Sequence, residues 1–164
     1  MADTLANRII KALRARLLTI LTANGYETNA GATVRHGRLK LDTPELHLAI
    51  HGGSATEKED RGRNRIDSSL VVEISGSVPV PDSDTGGELT EKVIGDVQKA
   101  MEQSTGRALN DDGGGVLTRD ITPLGRNKGA SIKQTSIDKA RNEYFMLTYL
   151  VTFIRIYGSP DQRV

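Results

Sequence analysis

Two histidines four residues apart, His47 and His51 in "HLAIH", have the spacing with which a helix offers two ligands to one metal ion. The segment alternates apolar and polar residues as a strand does, and a strand sets the two imidazoles about 13 Å apart along one face. That is too far for one ion without further ligands, so the expectation is a pair of solvent-facing histidines. Asp111 and Asp112 in "NDDGGG" cluster carboxylates as a calcium loop does, but the spaced ligands and closing glutamate of an EF-hand are missing, and the segment reads as a flexible turn. "RGRNR", residues 61–65, has a single glycine and no helix after it, so it is neither a dinucleotide fingerprint nor a phosphate-cradling loop. "GGSAT", residues 52–56, lacks the second flanking glycine of a nucleophile elbow. The chain has no cysteine, which excludes disulfides, thiolate metal sites, cysteine nucleophiles and iron-sulfur clusters, and fits manufacture in a reducing cytoplasm. The expectation is a protein with no catalytic, metal-binding or cofactor-binding residues.

Charge is arranged locally. Lys and Arg number 22 and Asp and Glu 21, for a net charge of +1, so no overall field draws in a polyanion. Within residues 52–67, Glu57, Glu59 and Asp60 come directly before Arg61, Arg63 and Arg65. This is the composition of a charge-balanced surface loop, or of an arm that meets a charged partner. Residues 123–143 form a second long polar segment, with Arg126, Lys128 and Lys133. Neither segment has the apolar content to fold alone. Both are candidate subunit or partner contacts.

The elements around these segments can be read from periodicity. Leu5, Ile9, Leu13, Leu17, Ile20 and Leu21 recur at helical spacing, with Asn24 and Gly25 as a stop. A second amphipathic helix runs from about Glu88 to Gln103, with Leu89, Val93, Val97, Ala100 and Met101 on one face and Thr85 and Glu88 spaced for a capping box. "ELHLAIH" and "DSSLVVEISGSVPV" alternate as strands, closed by Pro79 and Pro81. A weaker strand falls on residues 32–36, and another on residues 115–123.

The last strand is the most apolar part of the chain. It holds Tyr144, Phe145, Tyr149, Phe153 and Tyr157, leaving Tyr26 as the only aromatic residue elsewhere. The uncharged run is far shorter than the roughly 20 apolar residues of a membrane-spanning helix, and Arg155 ends it. At period two, Phe145, Leu147, Tyr149, Val151 and Phe153 share one face, and Tyr144, Met146, Leu150 and Ile154 the other. Both faces are apolar, which predicts a central strand covered on both sides, with Phe145, Leu147, Tyr149, Val151 and Phe153 as the core. From Glu143 to Tyr157 the strand would extend roughly 50 Å. The N-terminus alternates charged and apolar residues, unlike a signal peptide. Together these elements predict a single α+β domain over residues 1–164. It is a mostly antiparallel sheet with two helices packed on one face, in the order α-β-β-(β)-α-β-β, with long inter-strand loops.

The arrangement resembles the tail terminator, or tail completion, proteins of long-tailed bacteriophages. The resemblance rests on "RIIKALRARLLTIL", the acidic-then-basic segment of "PELHLAIHGGSATEKEDRGRNRIDSSLVVEISGSV", the helix "LTEKVIGDVQKAM", the strand "VLTRDITP" and the closing "FMLTYLVTFIRIYGSP". It covers nearly the whole chain as a pattern of elements and hydrophobicity. Residues 123–143 depart from it, where the family has a shorter connection. The resemblance implies a non-enzymatic virion subunit, located in the tail and in the host cytoplasm during assembly. It would form a hexameric ring on the head-proximal end of the tail tube, stop tube polymerisation and meet the head-completion or neck proteins. DNA would pass through without specific binding, and no membrane or cofactor is involved. Two other readings stand beside it: another neck or tail-tube subunit of related fold, and a small nucleic-acid-binding α+β module.

Overall fold

The computed structural model describes residues 4–39, 45–60, 64–80, 87–102, 109, 117–128, 141–156 and 159–163. In chain order the elements are α1 (Leu5–Leu17), β1 (Val34–His36), β2 (His47–Asp60), β3 (Arg65–Val80), α2 (Glu88–Glu102), β4 (Asp120–Lys128), β5 (Arg141–Ile156) and β6 (Ser159–Arg163). The six strands form one sheet in the order β1-β2-β3-β5-β4, with β6 paired to β5. Only the β1–β2 pair is parallel among the described strands. The fold class is α+β.

Each helix follows from its own residues. The Thr4 hydroxyl accepts a hydrogen bond from the Asn7 amide at 3.3 Å, closing the first turn of α1. Leu5, Ile9, Ile10, Leu13 and Leu17 are buried along one side. The helix ends at Leu17, earlier than its apolar periodicity implies. Ile20 is still fully buried, but on a non-helical continuation. Asn24 and Gly25 terminate the short 3-10 turn that follows, where Gly25 takes a φ of 82°, a left-handed angle that glycine adopts without strain. α2 buries Val93, Ile94, Val97, Ala100 and Met101. Thr85 of the expected capping box lies outside the described residues.

Register sorts the strand residues into two faces. Ile50, Ile74 and Leu147 form one cross-strand row, Leu48, Gly76 and Phe145 the next, and Leu70, Val151 and Ile121 another. Together with Val72 and Tyr149, the large side chains of these rows join residues of both helices in a single buried cluster. At about 1.5 to 3 kcal/mol for each large apolar side chain removed from water, this face supplies the main driving force for folding. Gly76 is required within it, because a Cβ there would overlap the ring of Phe145 directly opposite.

The other face departs from expectation. Tyr144, Met146, Leu150 and Ile154 are only half-buried, as are Ser75, Val71 and Asp67 across from the last three. Among the described residues β5 is therefore fully covered on one face only, with apolar residues left half-buried on the second. His47 also departs from expectation: it shares this second face with His51, but it is 1% exposed, with its Nδ1 2.9 Å from the Glu45 carbonyl oxygen. His51 is half-buried, opposite Glu73.

The two long polar segments are largely strand. β2 continues through Gly52 to Asp60 and β3 begins at Arg65, so residues 52–60 are antiparallel strand paired with β3 where a long loop was expected. Backbone hydrogen bonds to β3 hold this polar sequence in the ladder without apolar side chains. A bulge between Gly52 and Ala55 shifts the register on the way. β4 is displaced from its expected place at residues 115–123. It pairs with β5 from Asp120 opposite Thr152 to Lys128 opposite Phe145, and a bulge between Pro123 and Gly125 carries it past the proline that was expected to end it. The rest of the second polar segment, residues 129–140, lies outside the described residues, as do Asp111, Asp112 and Tyr157.

A pair of charge substitutions on β5 separates the two faces. Val151→Asp, at a fully buried position, is expected to abolish cooperative unfolding. Leu150→Asp, on the half-buried face, is expected to leave a folded protein within about 1.5 kcal/mol of wild type. Urea denaturation followed by circular dichroism measures both, and equal collapse of the two variants would contradict a one-sided core.

Candidate functional site

The buried ionisable groups serve the architecture. Asp96 on α2 is 4% exposed, and its carboxylate accepts hydrogen bonds from the Glu27 amide at 3.1 Å, the Thr28 amide at 2.7 Å and the Thr28 hydroxyl at 2.7 Å. One turn on, the Lys99 ammonium donates to the Gly25 carbonyl at 2.8 Å and lies 4.9 Å from the centre of the Tyr26 ring. α2 thereby grips the segment that leads from α1 to β1. Glu143 at the start of β5 is 6% exposed and accepts from the buried Thr90 hydroxyl at 2.7 Å, tying that strand to the first turn of α2. Among the described residues, no group of three or more His, Asp or Glu side chains is placed to hold a metal ion.

The charged residues singled out in the sequence divide into three groups. Glu57 and Glu59 stand exposed on the distal half of β2. Both lie on the face that carries the core, at the levels of Ser68 and Ile66 on β3. The Glu57 carboxylate receives two hydrogen bonds from Arg155 of β5, Nε at 3.1 Å and Nη2 at 2.8 Å, so this bidentate pair bridges the width of β3. Arg65 instead sits on the opposite face, with Nη2 3.7 Å from Asp67. Asp60 is paired through its backbone with Arg65. Arg126 on β4 is ion-paired with Glu91 of α2, which fastens the edge strand to the helix. Lys128 closes the β4 ladder opposite Phe145. Arg61, Arg63 and Lys133 lie outside the described residues.

Arg155 is the functional candidate that sequence reasoning missed. It stands at the end of the apolar run and looks like a terminator, 98 residues from its partner. The signal becomes readable only once the β2-β3-β5 register places an acid and a base on the same face. Beside this ion pair lies an open groove of about 430 Å³, lined by Thr56, Glu57, Lys58, Ser68, Arg119 and Phe153 among others. Its charges are mixed in sign. The predicted core residues Phe145, Leu147, Tyr149, Val151 and Phe153 are all buried, at 5% exposure or less. No aromatic ring among these five is free to stack on a base. Among the described residues, no helix is long and apolar enough to cross a membrane.

No protein-family model and no curated protein matches the chain.

Tyr149 gives the protein a pH signature. Its hydroxyl donates to the Glu102 carboxylate at 3.3 Å. Burial, and secondly the negative charge and hydrogen bond of Glu102, push its pKa well above the ordinary value of 10.0. The neutral phenol is thus favoured in the folded state. The unfolded chain releases this proton from about pH 10 while the folded chain retains it, so the contribution is complete below that pH and is lost as the pH rises above it. Tyr149→Phe is expected to reduce the loss of stability between about pH 9 and about pH 11, read as denaturation midpoints across that range. An unchanged alkaline slope would show that the phenol ionises as readily in the folded state as in the unfolded one.

Proposed function

We propose that this chain is a structural subunit of a bacteriophage tail. As a tail terminator it forms a ring on the head-proximal end of the tail tube, ends tube polymerisation and presents a surface to head-completion or neck proteins. The observation that carries this reading is the long sheet. β2, β3 and β5 run 14, 16 and 16 residues, and their distal ends form a charged blade cross-braced by Glu57 and Arg155. A subunit that works by shape needs rigid surfaces that reach its neighbours, and a braced sheet offers them. The near-neutral chain also suits a ring through which DNA passes without adhering. The order and character of the elements, as they resemble the tail terminator family, support the same reading.

A tail-tube or neck subunit of related fold would share these features and differ in what it assembles. Mass measurement and electron microscopy of the purified protein, alone and mixed with the tail-tube protein of the same virus, separate the cases. The expected result is closed rings bound at tube ends, with tubes that no longer lengthen. Open-ended polymers of this chain itself would favour a tube subunit. A monomer that ignores tubes and retards RNA or DNA on a gel would overturn the proposal.

A further inference from the structure

Two stretches of strand edge have no neighbour among the described strands. β1 pairs with β2 only at Leu48, Ala49 and Ile50, so among the described residues no strand pairs with the outer edge of β2 beyond the bulge, Ala55 to Asp60. On the far side of the sheet β4 pairs with β5 alone, and its residues from Thr122 to Asn127 are all exposed. Such edges are templates for strand addition. Resting on the ring reading above, we infer that these two edges are the two halves of one seam: the β4 edge of one subunit pairs with the distal β2 edge of the next copy of the same chain.

Direction, face and charge agree on this pairing. β2 is antiparallel to β3, β3 to β5 and β5 to β4, so the two edge strands run in opposite directions within one subunit. Copies placed side by side around an axis therefore meet antiparallel, and because the joined edges differ, the contact is head-to-tail, which builds a ring when the rotation between copies closes. On the core-bearing side of the sheet, β2 presents Glu57 and Glu59, and β4 presents Arg126, which is level with Leu147. Setting Glu57 opposite Arg126 brings Thr56 opposite Asn127 and Lys58 opposite Gly125. Past the bulge of β4, Glu59 then meets Pro123 and Asp60 meets Thr122, with every residue still on its own face. Acid and base stand directly across, and Glu59 is diagonal to the same arginine.

This register also orders the existing ion pairs. Glu91 holds Arg126 in one subunit and Arg155 holds Glu57 in the next. The seam joins them into an alternating row that runs from α2 of one copy to β5 of its neighbour. Glu57 lies at the level of Phe153 on β5 and Arg126 at the level of Leu147, a stagger of six residues. At about 3.3 Å per residue this is roughly 20 Å, a displacement of the kind tilted strands require in a closed sheet. Leu124, the most exposed large apolar side chain among the described residues at 54%, sits in the β4 bulge on this seam.

Because the chain lacks cysteine, introduced thiols report the contact without background. Thr56→Cys and Asn127→Cys occupy exposed positions that this register sets opposite each other across the seam. Under mild oxidation the inference expects neither single variant to cross-link alone, their mixture to give a disulfide dimer and no larger species, and the double variant to give a ladder that ends at one closed ring. Circular dichroism and the mass of the reduced proteins establish that the variants fold and assemble. A disulfide homodimer from either single variant, or assembled rings whose double variant forms no disulfide, overturns the seam and leaves the ring reading standing. A wild-type chain that stays monomeric at all concentrations, alone and with tail-tube protein, overturns both.

Discussion

The β3–β5 ladder is the interaction on which the rest of the molecule depends. Sixteen consecutive pairs, from Arg65 opposite Ile156 to Val80 opposite Arg141, run without a register shift. The neighbours on either side, β2 and β4, each carry a bulge. The regularity has a side-chain cause. Along β3, burial alternates at nearly every step from Arg65 to Ser75, and the residues facing the core align with Leu147, Tyr149, Val151 and Phe153. A slip of one residue would turn Leu70, Val72 and Ile74 away from the helices and put Val71, Glu73 and Ser75 in their place. A buried carboxylate such as Glu73 would then need a partner, which makes the slipped register costly as well as less apolar.

With that pair of strands fixed, α2 becomes the fastener for what surrounds it. Thr90 reaches β5 through Glu143, Glu91 reaches β4 through Arg126, and Asp96 and Lys99 hold the segment between α1 and β1. These contacts fall along the one helix that also buries Val93, Ile94, Val97 and Met101. The buried carboxylates take hydrogen bonds, so their burial is compensated, while the exposed Arg126–Glu91 pair positions the edge strand more than it stabilises it. α2 thus combines apolar burial with polar fixation of three separate chain segments.

Much of this was legible in the sequence because the core is strongly periodic. The stripe of Leu5, Ile9, Leu13 and Leu17 and the alternation through Leu70, Val72 and Ile74 each report one buried face, and both became the expected element. Four features were not legible, each for a physical reason. "GGSATEKED" has no apolar face, yet it forms strand because the ladder bonds are made by the backbone and β3 was already in place beside it. Pro123 looks like a terminator, but a bulge absorbs its missing donor. The second face of β5 is apolar in composition and half-buried in fact, because hydrophobicity records what a residue prefers and not whether another layer reaches it. Arg155 was hidden most completely, since its role depends on a register between strands nearly a hundred residues apart.

The sheet's exposed edges bring these points together. An open edge is a hazard when it is flat, long and apolar, since any strand can then pair with it in several registers. Here the distal edge of β2 is charged and follows a bulge, and the β4 edge is interrupted at Pro123 and Gly125. The interruptions shorten the uniform stretch on which a stray strand could slide. The charges discriminate further: a second β2 edge laid antiparallel with Glu57 on Glu57 sets acid against acid, whereas the β4 edge offers Arg126 on the matching face. Features that protect each edge from pairing with its own kind thus leave the opposite edge as the better partner. The asymmetry between the two sides of one sheet is what a head-to-tail assembly exploits.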